Sequence, residues 1–262
     1  MLGFGRTRAS CQLSLYGLRS LAEDVRDLAE HVAKDKKITL GGHDWGATLV
    51  WHTALWFPDL VQGIFSVGTP FIPPTQIYRS LDDVTRSGHM KNLRYQLQFQ
   101  GTHISDEMAE EPKIRQFLNA MFGGRGPQDQ VGFDPSRGVI FHNLPRLNRS
   151  RLLSDVELDY YVSIYFQNGK SNLEGPLRWY RTQAQNYLDE LRLLLKPVKF
   201  SMPALFLTST LGEISSVKMT EKMDRYFDNL TSKEVDGSLW MLWESPAAVN
   251  EQISTWLKRM VV

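Results

Sequence analysis

Cysteine is nearly missing: Cys11 is the only one in 262 residues. No internal disulfide can form, which suits a reducing compartment. No apolar run approaches the ~18 residues of a membrane-crossing helix. Met1-Leu2-Gly3-Phe4-Gly5-Arg6 also lacks the apolar stretch of a signal peptide. An excess of one charge is absent too. Lys and Arg number 30 against 29 Asp and Glu, a net +1, so electrostatics gives no reason to expect nucleic acid or an anionic membrane as partner. There is no internal repeat and no low-complexity tract. Histidine is sparse, at His31, His43, His52, His89, His103 and His142, and does not occur after that. What remains is the expectation of a soluble, cytoplasmic globular protein. Its 42% hydrophobic and 23% charged residues are ordinary values. The length allows one sizeable domain, or a core with an inserted lid.

The informative stretch is Ile38 to Pro58, ITLGGHDWGATLVWHTALWFP. Ile38-Thr39-Leu40 is apolar and β-branched, as a buried strand would be. From Ala47 to Phe57 apolar residues recur at helical spacing (Leu49, Val50, Leu55, Trp56), and Pro58 ends the run. Strand, tight turn and helix therefore meet at Asp44. Gly42 and Gly46, two residues to either side, permit a sharp turn that pushes the middle side chain outward. That is the shape of a nucleophile elbow, usually built around serine. Read without its context, Asp44 is equally well a helix N-cap.

Elsewhere Leu18, Leu21, Val25, Leu28 and Val32 form a stripe at steps of three and four, predicting an amphipathic helix over 16–33. Gly63 to Gly68 reads as a second buried strand, closed by Thr69-Pro70-Phe71-Ile72-Pro73-Pro74. Alternating helices and buried strands argue for a parallel sheet in an α/β fold. From Thr75 to Pro197 the pattern changes to aromatic-rich helical segments over 114–121, 155–166 and 178–195, divided by the Gly-rich 122–127. Strand and helix then return at 204–208, 217–227, 233–235 and 247–260. The simplest domain reading is a discontinuous core of 1–74 and 198–262 carrying a helical lid of 75–197.

With these pieces assembled, the chain resembles the epoxide hydrolases of the α/β-hydrolase superfamily over nearly its whole length. Gly41-Gly42-His43-Asp44-Trp45-Gly46 is similar to that family's elbow. Arg94-Tyr95-Gln96-Leu97-Gln98-Phe99-Gln100 and Gly175-Pro176-Leu177-Arg178-Trp179-Tyr180-Arg181 are similar to its two lid tyrosine motifs. Gly3-Phe4-Gly5-Arg6-Thr7 resembles its Gly-rich loop. The resemblance implies Asp44 as nucleophile, Tyr95 and Tyr180 as acids, and the Trp45 amide as an oxyanion donor. It calls for no cofactor and no metal, and implies a small apolar epoxide as ligand. His43 is expected to be a packing residue, and Arg6 and Arg181 solvated or paired surface charges. A haloalkane dehalogenase shares the elbow, but the two tyrosine motifs speak against it.

Two departures qualify the resemblance. The family sets a histidine shortly after its final strand, and here Leu239 stands in that place, within Asp236-Gly237-Ser238-Leu239-Trp240. Gly212 falls where its orienting aspartate would, with Glu213 as a displaced candidate. The family also has strands ahead of the elbow strand, and this chain starts after them. A truncated α/β-hydrolase fold with an exposed sheet edge is therefore expected, open to cover by an oligomeric partner. Hydrolysis is expected to be impaired. The rival reading is an inactive homologue that binds an apolar small molecule.

Overall fold

The computed structural model describes residues 1–88, 90–211 and 223–260. They cluster into two compact units, Met1–Tyr16 with Arg79–Gln183 and Gly17–Tyr78 with Ala184–Val262.

The second unit holds the sheet. Helix α1 (Leu18–Ala33), strand β1 (Ile38–His43), helix α2 (Trp45–Trp56) and strand β2 (Val61–Val67) follow one another. Strands Ala204–Ser209 and Leu230–Val235 and the helix Pro246–Met260 complete it. Among the described residues its three strand pairings are parallel, and β1 sits at one end of the order, bonded to β2 alone.

Strand Ala204–Ser209 explains why these runs read as continuously apolar. Its successive side chains leave on opposite faces. Ala204 and Phe206 join one core with Val50, Trp51 and Ala54 of α2. Leu205 and Leu207 join another with Val249 and Trp256 of the last helix. Both faces of the sheet are thus covered, as a parallel sheet requires. Trp51, 1% exposed, anchors the first core. Its ring meets Phe71, Phe200 and Phe227, and its Nε1 donates to the Thr69 carbonyl at 3.1 Å.

The expected α1 stripe is only half used. Leu18 and Leu21 are buried, but Leu28 and Val32 stand 62% and 72% exposed. Helix α1 runs 16 residues against the 12 of α2, on which it packs. Gly17 offers α1 no side-chain cap. Asn186 supplies one from afar, its Oδ1 accepting from the Leu18 amide at 2.8 Å.

The first unit is helical. Glu111–Met121 and Asp155–Tyr165 pack together, the latter opened by a Ser154–Glu157 capping box. Two short hairpins, Phe133–Asp134 with Gly138–Val139 and Phe166–Gln167 with Lys170–Ser171, join the unit. Its N-terminal residues sort here and not with the sheet for a visible reason. Gly3 and Gly175 have backbones so close that a Cβ on Gly175 would meet Gly3 oxygen at 2.6 Å, and Trp179 Nε1 donates to Leu2 oxygen at 3.0 Å.

The single helix expected over 178–195 is broken into Glu174–Arg178, a 3-10 turn Trp179–Arg181, Gln183–Glu190 and a turn Leu193–Leu195. Thr182 makes the break: its hydroxyl turns back onto the Trp179 carbonyl at 2.9 Å. The expected helix over 217–227 lies mostly outside the described residues. Only the turn Asp224–Tyr226 belongs to it.

Candidate active site

Asp44 stands where β1 passes into α2, with φ 55° and ψ −125°. An ordinary N-cap residue is extended, so capping does not account for this backbone. Conformations of this kind cost on the order of 1–3 kcal/mol and persist where the surroundings over-determine them. Here they do. The Asp44 carbonyl takes the amides of Ala47 and Thr48 at 3.0 and 3.1 Å, starting the helix immediately. Gly42 lies so close beneath that a Cβ there would collide with Gly46 oxygen. A Cβ on Gly41 would strike the Phe65 ring. Glycine is therefore demanded at both positions by close approach. The Asp44 side chain is half-buried, and its Oδ1 accepts from the Trp45 amide at 2.7 Å.

His43 is engaged on the 239–243 segment. Its Nε2 lies 2.7 Å from the Leu239 carbonyl, and its ring centroid is 6.0 and 6.1 Å from those of Trp240 and Trp243. Leu239 is half-buried, its Cδ1 3.1 Å from where a Gly68 Cβ would be. An aliphatic side chain therefore occupies this spot. Gly212 and Glu213, the positions considered for an acid, lie outside the described residues. Deeper on α2, His52 places Nε2 2.8 Å from Glu190 Oε1 and Nδ1 2.8 Å from the Thr48 carbonyl. This link ties the Gln183–Glu190 helix to the elbow helix.

Tyr95 and Tyr180 belong to the helical unit and meet there. Their ring centroids are 6.0 Å apart at 75°, and Phe99 touches both, at 5.3 and 5.1 Å. Tyr95 begins the helix Tyr95–Gln100, and its amide donates to Pro135 oxygen at 3.0 Å. Gln98 clasps that helix to the neighbouring hairpin, accepting from the Val139 amide at 2.7 Å and donating to its carbonyl at 3.2 Å.

Arg181, expected as a solvated or paired surface charge, is paired, and it also reaches backbone that the sequence did not point to. Its Nε donates to Gln100 oxygen and its Nη2 to Gly101 oxygen, both at 2.9 Å. The same guanidinium forks onto Glu174 at 2.8 and 3.1 Å, and Ser105 donates to Glu174 Oε1 at 2.7 Å. Hydrogen bonding from Arg181, above all, holds the Glu174 carboxyl below its ordinary value of 4.5. The pairing therefore contributes in full above that pH and is lost as pH falls further. Spacing alone could have flagged Glu174 with Arg178, at i,i+4. Nothing in the sequence flags the carbonyls that Arg181 reaches.

Among the described residues no group of His, Cys, Asp and Glu could hold a metal ion. No described helix is long and apolar enough to cross a membrane.

Comparison with known proteins bears on the fold and the family. A family model described as the alpha/beta hydrolase fold matches residues 1–246. Epoxide hydrolase srdG of Neurospora crassa is 33% identical over all of this chain, which covers 78% of that protein. Bifunctional epoxide hydrolase 2 of Sus scrofa is 26% identical over 98% of the chain, which spans only 45% of that longer protein. Among solved structures, an epoxide hydrolase from an endophytic Streptomyces superposes with a TM-score of 0.80 at 21% identity, over 98% of this chain and 78% of that one. Epoxide hydrolase A from Mycobacterium thermoresistibile gives 0.73 at 24% identity, over 98% and 80%. The chain has the α/β-hydrolase fold, and it belongs to the epoxide hydrolase family of that superfamily.

Proposed function

We propose that the protein opens small apolar epoxides in the cytoplasm with Asp44 as nucleophile and retains the product as an ester. The observation that carries this is the strained Asp44 backbone, together with the Trp45 amide on Oδ1. With Oδ1 so held, Oδ2 attacks an epoxide carbon, the carbon–oxygen bond of the ring breaks, and an alkyl ester forms. The departing oxygen is a poor alkoxide and takes a proton from Tyr95 or Tyr180 with the other as hydrogen-bond donor. Oδ1 becomes the ester carbonyl oxygen. The Trp45 amide then stands ready for the negative charge that water attack would develop there.

The test is a single-turnover experiment. Protein carrying Cys11→Ser, which removes an exposed competing thiol, is mixed with excess styrene oxide, quenched in acid and weighed intact. One added epoxide per chain is expected. Tyr180→Phe should slow that gain by ~10²–10⁴-fold, the usual contribution of a positioned general acid. Labelling of the variant at the wild-type rate would remove Tyr180 from the mechanism.

A second reading, an inactive homologue holding an apolar ligand, is favoured by one observation. Leu239 stands in the place of the base and presents only hydrocarbon beside Gly68. Saturable binding of styrene oxide with no gain in mass would select it.

A further inference from the structure

Two tyrosines that share one departing oxygen must keep their hydroxyls a fixed distance apart. Aromatic contact gives little control over that distance, because edge-to-face rings slide at small cost. The stiffer link lies one residue along the chain. Arg181 follows Tyr180 directly, and its guanidinium grips the carbonyls of Gln100 and Gly101 at the end of the Tyr95–Gln100 helix. Those groups are the acceptors that a helix end leaves unsatisfied. Glu174 holds the guanidinium from the other side, and Ser105 in turn holds Glu174. Its side chain is only 20% exposed, unlike that of an ordinary surface ion pair. The forked geometry is specific to arginine, since lysine offers a single point of charge. On the far side of Tyr180, Trp179 is buried and bonded to Leu2 oxygen. Tyr180 is therefore pinned on both flanks, and one of the pins runs to the element that carries Tyr95.

We propose that Arg181, braced by Glu174 and Ser105, is a positioning residue that sets the spacing of the Tyr95 and Tyr180 hydroxyls. Its effect on rate rests on the reading that both tyrosines assist ring opening. Its effect on geometry does not.

The experiment measures the two separately. Tyr95 or Tyr180 is replaced by 3-fluorotyrosine and its fluorine resonance recorded, while styrene oxide labelling is followed by mass over a range of concentrations. Arg181→Met should shift both resonances and slow the limiting labelling rate by about 10- to 100-fold, the scale of a misplacement near 1 Å. The half-saturating concentration should barely change. Arg181→Lys should fall between, retaining the charge and losing the fork. Glu174→Gln and Ser105→Ala loosen one arm each and should shift the resonances in the same direction, which covers the case of an Arg181→Met protein that fails to fold. Unchanged resonances in folded Arg181→Met and Glu174→Gln would overturn the proposal. Shifted resonances with labelling at the wild-type rate would leave the brace standing and overturn the role given to the tyrosines.

Discussion

Asp44→Asn is expected to abolish the gain of mass from styrene oxide. The substitution is nearly isosteric and leaves an oxygen able to accept from the Trp45 amide. Asn is also among the residues that best tolerate positive φ, so the strained turn should survive. What disappears is the charge: a neutral amide oxygen is a far weaker nucleophile than a carboxylate. Removal of a nucleophile typically costs ~10⁴-fold or more, which places the variant below detection in a labelling time course. Peptide mapping of the wild-type protein should locate the added mass on Asp44. Cys11 is exposed and offers a competing thiol, so Cys11→Ser is the background in which to measure. Equal labelling with and without the Asp44→Asn substitution in that background would end the case for this carboxylate.

The second large effect concerns turnover. Steady-state diol formation should be lower by ~10⁴-fold or more than an intact triad would give, because ester hydrolysis needs an activated water. Leu239 supplies no base, and the His43 ring is turned toward the Leu239 carbonyl. Alkylation would then outrun ester hydrolysis, and the ester would accumulate. Leu239→His should restore part of the second step, most visibly as faster loss of the added mass after free epoxide is removed. An aspartate at position 212 added to that variant supplies the orienting acid. Multiple turnover at ordinary rates in the unaltered protein would refute the assignment and require a base elsewhere. No gain in a folded Leu239→His, Gly212→Asp protein would mean that the missing base is not what limits hydrolysis.

Much of this molecule could be read from local chemistry. Gly42 and Gly46 around Asp44 announce a close-approach turn whatever surrounds them, and the geometry there follows from sterics within six residues. Strands buried on both faces announce themselves as apolar runs, which is why Ala204 to Thr208 was legible. Strand Leu230–Val235 was faint for the opposite reason: Ser232, Lys233 and Glu234 are exposed, and it lies at the outer end of the strand order. The break at Thr182 carries neither proline nor glycine. It depends on a side chain returning to a carbonyl, and periodicity is blind to that. The carbonyl contacts of Arg181 stayed hidden because its partners come from two separate stretches, at 100–101 and 174. Such convergence exists only after folding.

The position of β1 at the end of the strand order has a consequence for amide exchange with heavy water. A strand bonded on one side directs every second N–H away from its neighbour. Thr39 to His43, past the register shift at Ile38, should therefore show an alternating record in deuterium uptake, slow and fast residues in turn. Thr39, Gly41 and His43 share one parity, and Leu40 and Gly42 the other. Ala204 to Leu207, paired on both sides, should be uniformly slow. Among the described residues the elbow thus grows from a strand whose backbone is latched on one side only, and residue-resolved exchange by NMR would expose that two-beat pattern. Uniform protection along β1 would mean that something in solution has joined the open edge.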